Sequence, residues 1–366
     1  MAPDPLGPTI SYLVVSKNPA LLNRLLSSLS CARAFPQAGD EVLCSWNGSS
    51  SDEDLLVDHG SPGFRIACRS PYHFASNMNA LAEQATGEFL VFINDDLVLD
   101  PGSIDRAVQV LLSRPEVGMV GGRLRSSTGL LTHAGLLFSN DHLPYNRFRP
   151  EQLGALIDPE ALEVQESGPM PAVTGALMVM RRSDFLMVRF RETFQVCGED
   201  IALCLDFWAS LEKTPYYSAD VTAVHDEKST RGNTLDLYDI RQVGILVEQV
   251  MRNSPRLRAS FTYWAVQEAD LMWRLAIRQR ERSVEMKAEM EAEHNLQLET
   301  ERHRFADQRE RLNWDLSVVR EELRGVQDQL EQSHQAIDDL LNSRSWKLTA
   351  TYRQFGQFLE RFRRSS

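Results

Sequence analysis

The chain has 366 residues, enough for two domains of ordinary size, and 43% of them are apolar, which supports a large core. A net charge of −12 and a pI near 5.2 argue against a general nucleic-acid binder, since affinity for a phosphate backbone needs clustered cations. The five cysteines show no CxxC spacing, the start has neither the basic nor the apolar part of a signal peptide, and no run reaches transmembrane length; the expectation is a cytosolic protein with reduced thiols. Apolar runs at Thr9–Val15, Glu41–Trp46, Phe64–Cys68, Phe89–Ile93 and Met119–Leu124 read as strands. Between them Ala20–Leu29, Asn77–Ala85 and Ser103–Leu112 carry apolar residues at helical spacing. Alternation of this kind predicts βαβ units and a mainly parallel sheet.

Turn residues from Gly121 to about Pro150, around Leu131-Thr-His133-Ala-Gly135, suggest a hairpin-like excursion. A second apolar run, Val173 to Met180, follows, and then Cys197-Gly-Glu199-Asp200 opens a helix with Ile201, Leu205 and Trp208 on one face. Past residue 260, proline and glycine nearly vanish. Leu316, Leu323, Leu330 and Ile337 at heptad position a place Leu298, Phe305, Leu312, Val319, Val326 and Leu340 at d, the seam of a coiled coil. Arg309 at a and Ser333 at d weaken it, predicting a short or partner-dependent coil. From Ser343 to Ser366 six cations face Glu360 alone and interleave with Trp346, Tyr352, Phe355, Phe358 and Phe362, a pattern that suits an anionic membrane surface or packing on an acidic protein face. The expected domains are residues 1–260, 261–342 and 343–366.

Three clusters could do chemistry. Asn94-Asp95-Asp96 closes a buried strand, where the hard oxygens of Asp95 and Asp96 suit magnesium or manganese against a diphosphate, or simply form a turn and cap. Glu199 and Asp200 start a helix, as caps favoured by its dipole or as a general base for a hydroxyl. His225 ends an apolar stretch, as a structural histidine or a neutral metal ligand, and Lys228 and Arg231 beyond it could face a diphosphate.

The order of these motifs resembles the family 2 glycosyltransferases of the GT-A fold. The matching stretches are Phe74-Ala-Ser-Asn77-Met-Asn79-Ala, Ala85-Thr-Gly87 through Asn94-Asp95-Asp96, Leu131-Thr-His133-Ala-Gly135, Thr174-Gly175-Ala176, Gly198-Glu199-Asp200 and His225 through Gly232, over about residues 9 to 235. The resemblance implies a Rossmann-like α/β domain with a helical coiled-coil extension. It implies an enzyme that moves a sugar from a nucleotide-diphosphate sugar to an acceptor hydroxyl with inversion, using a divalent cation. Carried onto this chain, it makes Asp96 the chief metal ligand with His225, Asp95 and Asn94 donor contacts, and Asp200 the base with Glu199 beside the acceptor. Asn47 and Asn79 fall in nucleotide-binding stretches, and Lys228 and Arg231 would meet the diphosphate.

The chain departs from the family in three places. Asn94 replaces the first acid of the DxD motif. Trp46 stands where an acid often approaches the nucleotide base, and could stack on that base or belong to the core. Val188-Arg-Phe-Arg191-Glu192 replaces the usual Gly-Gly-Phe-Asp-Glu. The end, Ser345-Trp346-Lys-Leu-Thr349-Ala-Thr-Tyr-Arg353, resembles the tail of bacterial surface-polysaccharide transferases and implies work at the inner membrane face on a polysaccharide or lipid-linked glycan, with a second copy or a partner transferase on the coil. Two other readings compete: a non-catalytic scaffold with a degenerate transferase domain, and a sugar nucleotidyltransferase. The latter is disfavoured because Val15-Ser-Lys-Asn-Pro-Ala lacks a Gly-rich phosphate loop.

Overall fold

A computed structural model describes residues 7–57, 63–148, 157–225 and 237–363. Strand β1 (Ile10–Ser16) leads through α1 (Pro19–Ala32) to β2 (Glu41–Trp46), and a short α2 (Ser50–Glu53) precedes β3 (Phe64–Cys68). Helix α3 (Phe74–Gln84), β4 (Phe89–Asn94), β5 (Leu97–Leu99) and α4 (Ser103–Ser113) follow. Asn18 caps α1 by accepting from Ala20 and Leu21 N–H, and Pro19 at the first helical position loses no hydrogen bond there.

Among the described residues, ten strands make one mixed sheet in the order β10-β12-β6-β11-β4-β1-β2-β3, with β5 on β12 and β7 on β6. β3, β2, β1 and β4 run parallel, as do β6 (Val117–Arg125) and β12 (Thr214–His225). Between these two parallel blocks lies β11 (Leu177–Arg181), antiparallel to both β4 and β6. The apolar run therefore starts its strand later than Val173, and Thr174–Ala176 stay irregular at the sheet edge. The turn-rich excursion contains β7 (Leu131–His133) and a hairpin of β8 (Leu136–Phe138) and β9 (Pro144–Asn146), and β10 is the pair Gly168–Pro169.

Both faces of the sheet are covered, which is why the central strands are apolar without alternation. Phe89, Val91 and Ile93 of β4 pack with Leu22, Leu26 and Ile104 of α1 and α4. Leu90 and Phe92 pack on the other face with Met78, Leu81 and Phe185, the last from α5 (Arg182–Val188). Helix α6 (Glu199–Ser210) joins that second layer through Ile201, Leu205 and Trp208, as its spacing predicts.

Helix α7 (Leu237–Asn253) precedes α8 (Pro255–Asn342), an unbroken helix of 88 residues. The compact unit runs to Arg278, past the boundary expected near residue 260, because Leu257, Trp264, Glu268 and Leu271 bury themselves in it. Trp264 donates from Nε1 to Pro169 O at 2.6 Å and carries the Arg147 guanidinium over its ring at 4.3 Å. Glu268 accepts from Tyr145 Oη at 2.8 Å and Phe148 N at 3.1 Å. The second unit, Gln279–Ser366, holds the rest of α8, then α9 (Arg344–Leu348) and α10 (Ala350–Arg363). Within it the heptad residues from Leu298 to Leu340 are exposed along one helix. Among the described residues no helix is long and apolar enough to cross a membrane.

Candidate active site

The carboxyl ends of β1, β4 and β12 gather the acidic motif. Parallel pairing sets Val15 beside Asn94, so Ser16 lies next to the strand end, and its Oγ donates to Asp95 Oδ2 at 2.6 Å. Asp95 is 2% exposed, and burial pushes its carboxyl up to about 6, against the pull of the Ser16 hydrogen bond and with a further push from the neighbouring Asp96 charge. β5 turns back after Asp96 and pairs with β12 so that Leu97 faces His225. That register brings His225 Nε2 to 3.3 Å from Asp96 Oδ1.

Two ligands of one cation sit about 3 Å apart when each metal–ligand distance is about 2.0–2.2 Å, so this pair fits two adjacent coordination positions. The imidazole's other nitrogen, Nδ1, is buried with no hydrogen-bond partner among the described residues. Among those residues no cluster of three or more His, Cys, Asp or Glu side chains could hold a metal ion by itself, so a cation here would draw the rest of its shell from a ligand and water.

The second centre lies across one short segment. Asn94 N donates to Ala176 O at 3.0 Å, while Gly175 N donates to Asp200 Oδ2 at 2.8 Å. Adjacent residues of the irregular stretch before β11 thus touch both the end of the acidic strand and the helix-opening acid. Ile201 N donates to Asp200 Oδ1 at 2.8 Å, so each carboxylate oxygen is held by a backbone N–H. Donors of this kind suit a carboxylate, the form a proton acceptor requires. A Cβ on Gly175 would lie 3.1 Å from Asp200 Cβ, a tight contact that would make the Asp200 side chain give by a few tenths of an ångström.

Gly198 caps α6 at a φ of 98°, a left-handed conformation that turns the chain sharply into Glu199 and Asp200. Glu199 is buried, whereas Asp200 lines an open cavity of about 220 Å³ with Asn146, Thr174, Tyr145 and Cys197. Cavity and acid are therefore coupled: the groups that could orient a bound hydroxyl surround the one that could take its proton.

Other expected contacts separate into two groups. Asn47 follows β2, its backbone N donating to Ser16 O at 2.8 Å and its side chain to Ser70 O, which leaves it near the acidic motif. Asn79 is buried in α3, donating to Phe190 O at 3.0 Å and Glu192 Oε1 at 2.9 Å and accepting from Phe190 N at 3.0 Å, which uses its amide to anchor the segment after α5. Trp46 is core, 2% exposed with Nε1 donating to Ser49 O at 3.1 Å, and so is unavailable for stacking on a base. Lys228 and Arg231 lie outside the described residues.

Sequence reasoning missed Asp239. From the first turn of α7 its fully buried carboxylate accepts from Gln195, Val196 and Cys197 N–H at 2.9, 2.7 and 3.2 Å, clamping the loop that delivers Glu199 and Asp200. An acid at a helix start was the local signal, but its partners are more than forty residues upstream. His133, which the sequence offered within a matching stretch but without a role, reaches Asn146 and the backbone of Gly135 and Thr174 beside the cavity.

Residues 16–243, more than half of the chain, match the family model described as glycosyltransferase like family 2. The chain belongs to that family. It is 31% identical over 230 residues to the O-antigen biosynthesis protein RfbC of Myxococcus xanthus, covering 61% of this chain and 18% of that protein. An uncharacterized protein, y4gI, of Sinorhizobium fredii is 29% identical over 175 residues, 44% of this chain and 18% of its own length. The chain thus spans less than a fifth of the curated relatives it matches. Among solved structures, GalNAc-T7 with UDP, GalNAc and Mn2+ aligns with a TM-score of 0.51 at 13% identity, over 66% of this chain and 48% of that one. That likeness shows the fold, which is GT-A.

Proposed function

We propose that the protein is a metal-dependent, inverting glycosyltransferase that moves a sugar from a nucleotide-diphosphate sugar to a glycan or lipid-linked acceptor of a bacterial cell-surface polysaccharide. The carrying observation is that Gly175–Ala176 touches both centres at once, holding Asp200 on one side and the end of the Asn94-Asp95-Asp96 strand on the other. Family membership supports the same reading, as do the UDP and Mn2+ that accompany GalNAc-T7 in its crystal structure.

On this account Asp96 and His225 would hold a magnesium or manganese ion, with diphosphate and water completing its shell. The ion would supply charge neutralisation for the leaving diphosphate. Asp200 takes the proton of the acceptor hydroxyl as that oxygen forms its bond to the anomeric carbon and the bond to the diphosphate breaks. Asp95, fixed by Ser16, and Asn94 face the donor. Glu199, buried at the start of α6 beside Asp200, orients the acceptor side. Lys228 and Arg231 would pair with diphosphate charge.

The exposed heptad seam of α8 suits a second copy or a partner transferase, and the cationic aromatic end suits an anionic membrane face. The test is a nucleotide-sugar screen by donor hydrolysis with and without manganese. Turnover of at least one donor that is lost on EDTA treatment and restored by manganese is expected. Turnover surviving dialysis against EDTA removes the metal from the proposal, and failure to bind any nucleoside diphosphate favours the scaffold reading.

A further inference from the structure

The hairpin beside Asp200 carries a polar relay that the chemistry above does not use. His133, 1% exposed at the end of β7, takes two backbone N–H groups at Nε2, from Gly135 at 3.2 Å and Thr174 at 3.4 Å. A ring nitrogen that accepts from two N–H donors carries no proton, so in the neutral imidazole the hydrogen sits on Nδ1. Nδ1 lies 2.7 Å from Asn146 Oδ1, and the only consistent arrangement has His133 donating and the Asn146 oxygen accepting. With one lone pair of its oxygen engaged by His133 and neither amide hydrogen used in that bond, Asn146 has its N–H donors to offer the cavity it lines.

The rest of that cavity fixes what those donors would meet. Asp200 is an acceptor on the same wall system, and Leu136, Pro144, Ile240 and Val243 give an apolar side. A volume of about 220 Å³ holds one sugar ring more readily than a nucleotide, and the Asp200 carboxylate disfavours a phosphate there. A pyranose has matching parts: a hydroxyl that gives its proton to a carboxylate, a neighbouring oxygen that accepts, and a C–H face.

Resting on the transferase reading above, we infer that Asn146 is an acceptor-contact residue, its amide set by His133, and that it donates to the ring oxygen substituent next to the hydroxyl that attacks. His133 is a positioning residue: it acts through Asn146 and does not touch the sugar.

The test is saturation-transfer NMR of the full chain with a panel of methyl hexopyranosides, in the presence of manganese and UDP or GDP, with nucleotide binding followed in parallel by calorimetry. At least one glycoside should bind the unaltered protein. Asn146→Asp keeps a partner for His133 but removes the donor, and His133→Gln removes the Nδ1 donor. Each should weaken that glycoside at least about fivefold, the worth of one hydrogen bond, with nucleotide affinity unchanged. His133→Asn, which retains an N–H near the Nδ1 position, should recover part of the loss. Unchanged glycoside binding in Asn146→Asp overturns the inference, as does a protein that binds nucleotide but no glycoside of the panel. Binding of neither nucleotide overturns the transferase reading and this inference with it.

Discussion

Replacing Asp239 by alanine should loosen the loop that carries the base. The substitution removes the acceptor of three backbone N–H groups, at Gln195, Val196 and Cys197, in a fully buried setting. A buried donor left without a partner costs about 1–3 kcal/mol, and water entering the space left by the carboxylate can satisfy part of the set. A loss of about 3–5 kcal/mol in unfolding free energy is therefore expected, and less for Asp239→Asn, which retains an acceptor oxygen. Urea denaturation gives the stability, and amide hydrogen exchange at residues 195–197 locates the effect. Faster exchange confined to that loop, together with a lower kcat at unchanged nucleotide affinity, is the expected signature. Stability within about 0.5 kcal/mol of the parent, with unaltered exchange, would refute the clamp.

Three further outcomes follow from the geometry. Gly175→Ala should lower turnover roughly severalfold while the fold survives, because its Cβ would lie 3.1 Å from Asp200 Cβ and displace that side chain by a few tenths of an ångström; full turnover would mean that the carboxylate's placement tolerates movement. In metal-free protein, Asp95 is protonated more readily folded than unfolded, so its penalty is absent near pH 4 and complete above about 6. Stability should fall by up to about 3 kcal/mol across that window and flatten in Asp95→Asn; parallel profiles for the two proteins would contradict this. Trp264→Ala should cost about 3–5 kcal/mol by opening a cavity against the Arg147 guanidinium, and chemical denaturation showing a loss below about 1 kcal/mol would separate the start of α8 from the catalytic unit.

Much of the fold was legible because buried parallel strands are apolar runs with clear ends: β2 and β3 fall at Glu41–Trp46 and Phe64–Cys68 as their residues suggest. The antiparallel β11 was not legible as such, since strand direction comes from pairing with β4 and β6 and leaves no local mark. At the site, Asp96, His225 and Asp200 stood out as acids and an imidazole at element ends. At Asn79 the structure shows an amide that anchors a neighbouring segment, which looks the same in sequence as one that reads a nucleotide. Asp239 escaped notice because the loop it holds is distant in sequence, and His133 stood in a quoted motif whose role shows only once Asn146 and Thr174 lie beside it. The first turns of α8 likewise resembled the coil that follows them, although Trp264 and Glu268 face a core.

The central claim is that Asp200 takes the acceptor proton while the Asp96 side holds the donor. Once the screen has identified a donor and acceptor pair, the deciding measurement is transfer by Asp200→Asn, with nucleotide binding recorded on the same sample. Transfer should fall by about a thousandfold or more at unchanged nucleotide affinity. Transfer within tenfold of the parent would contradict the assignment of Asp200 as the base.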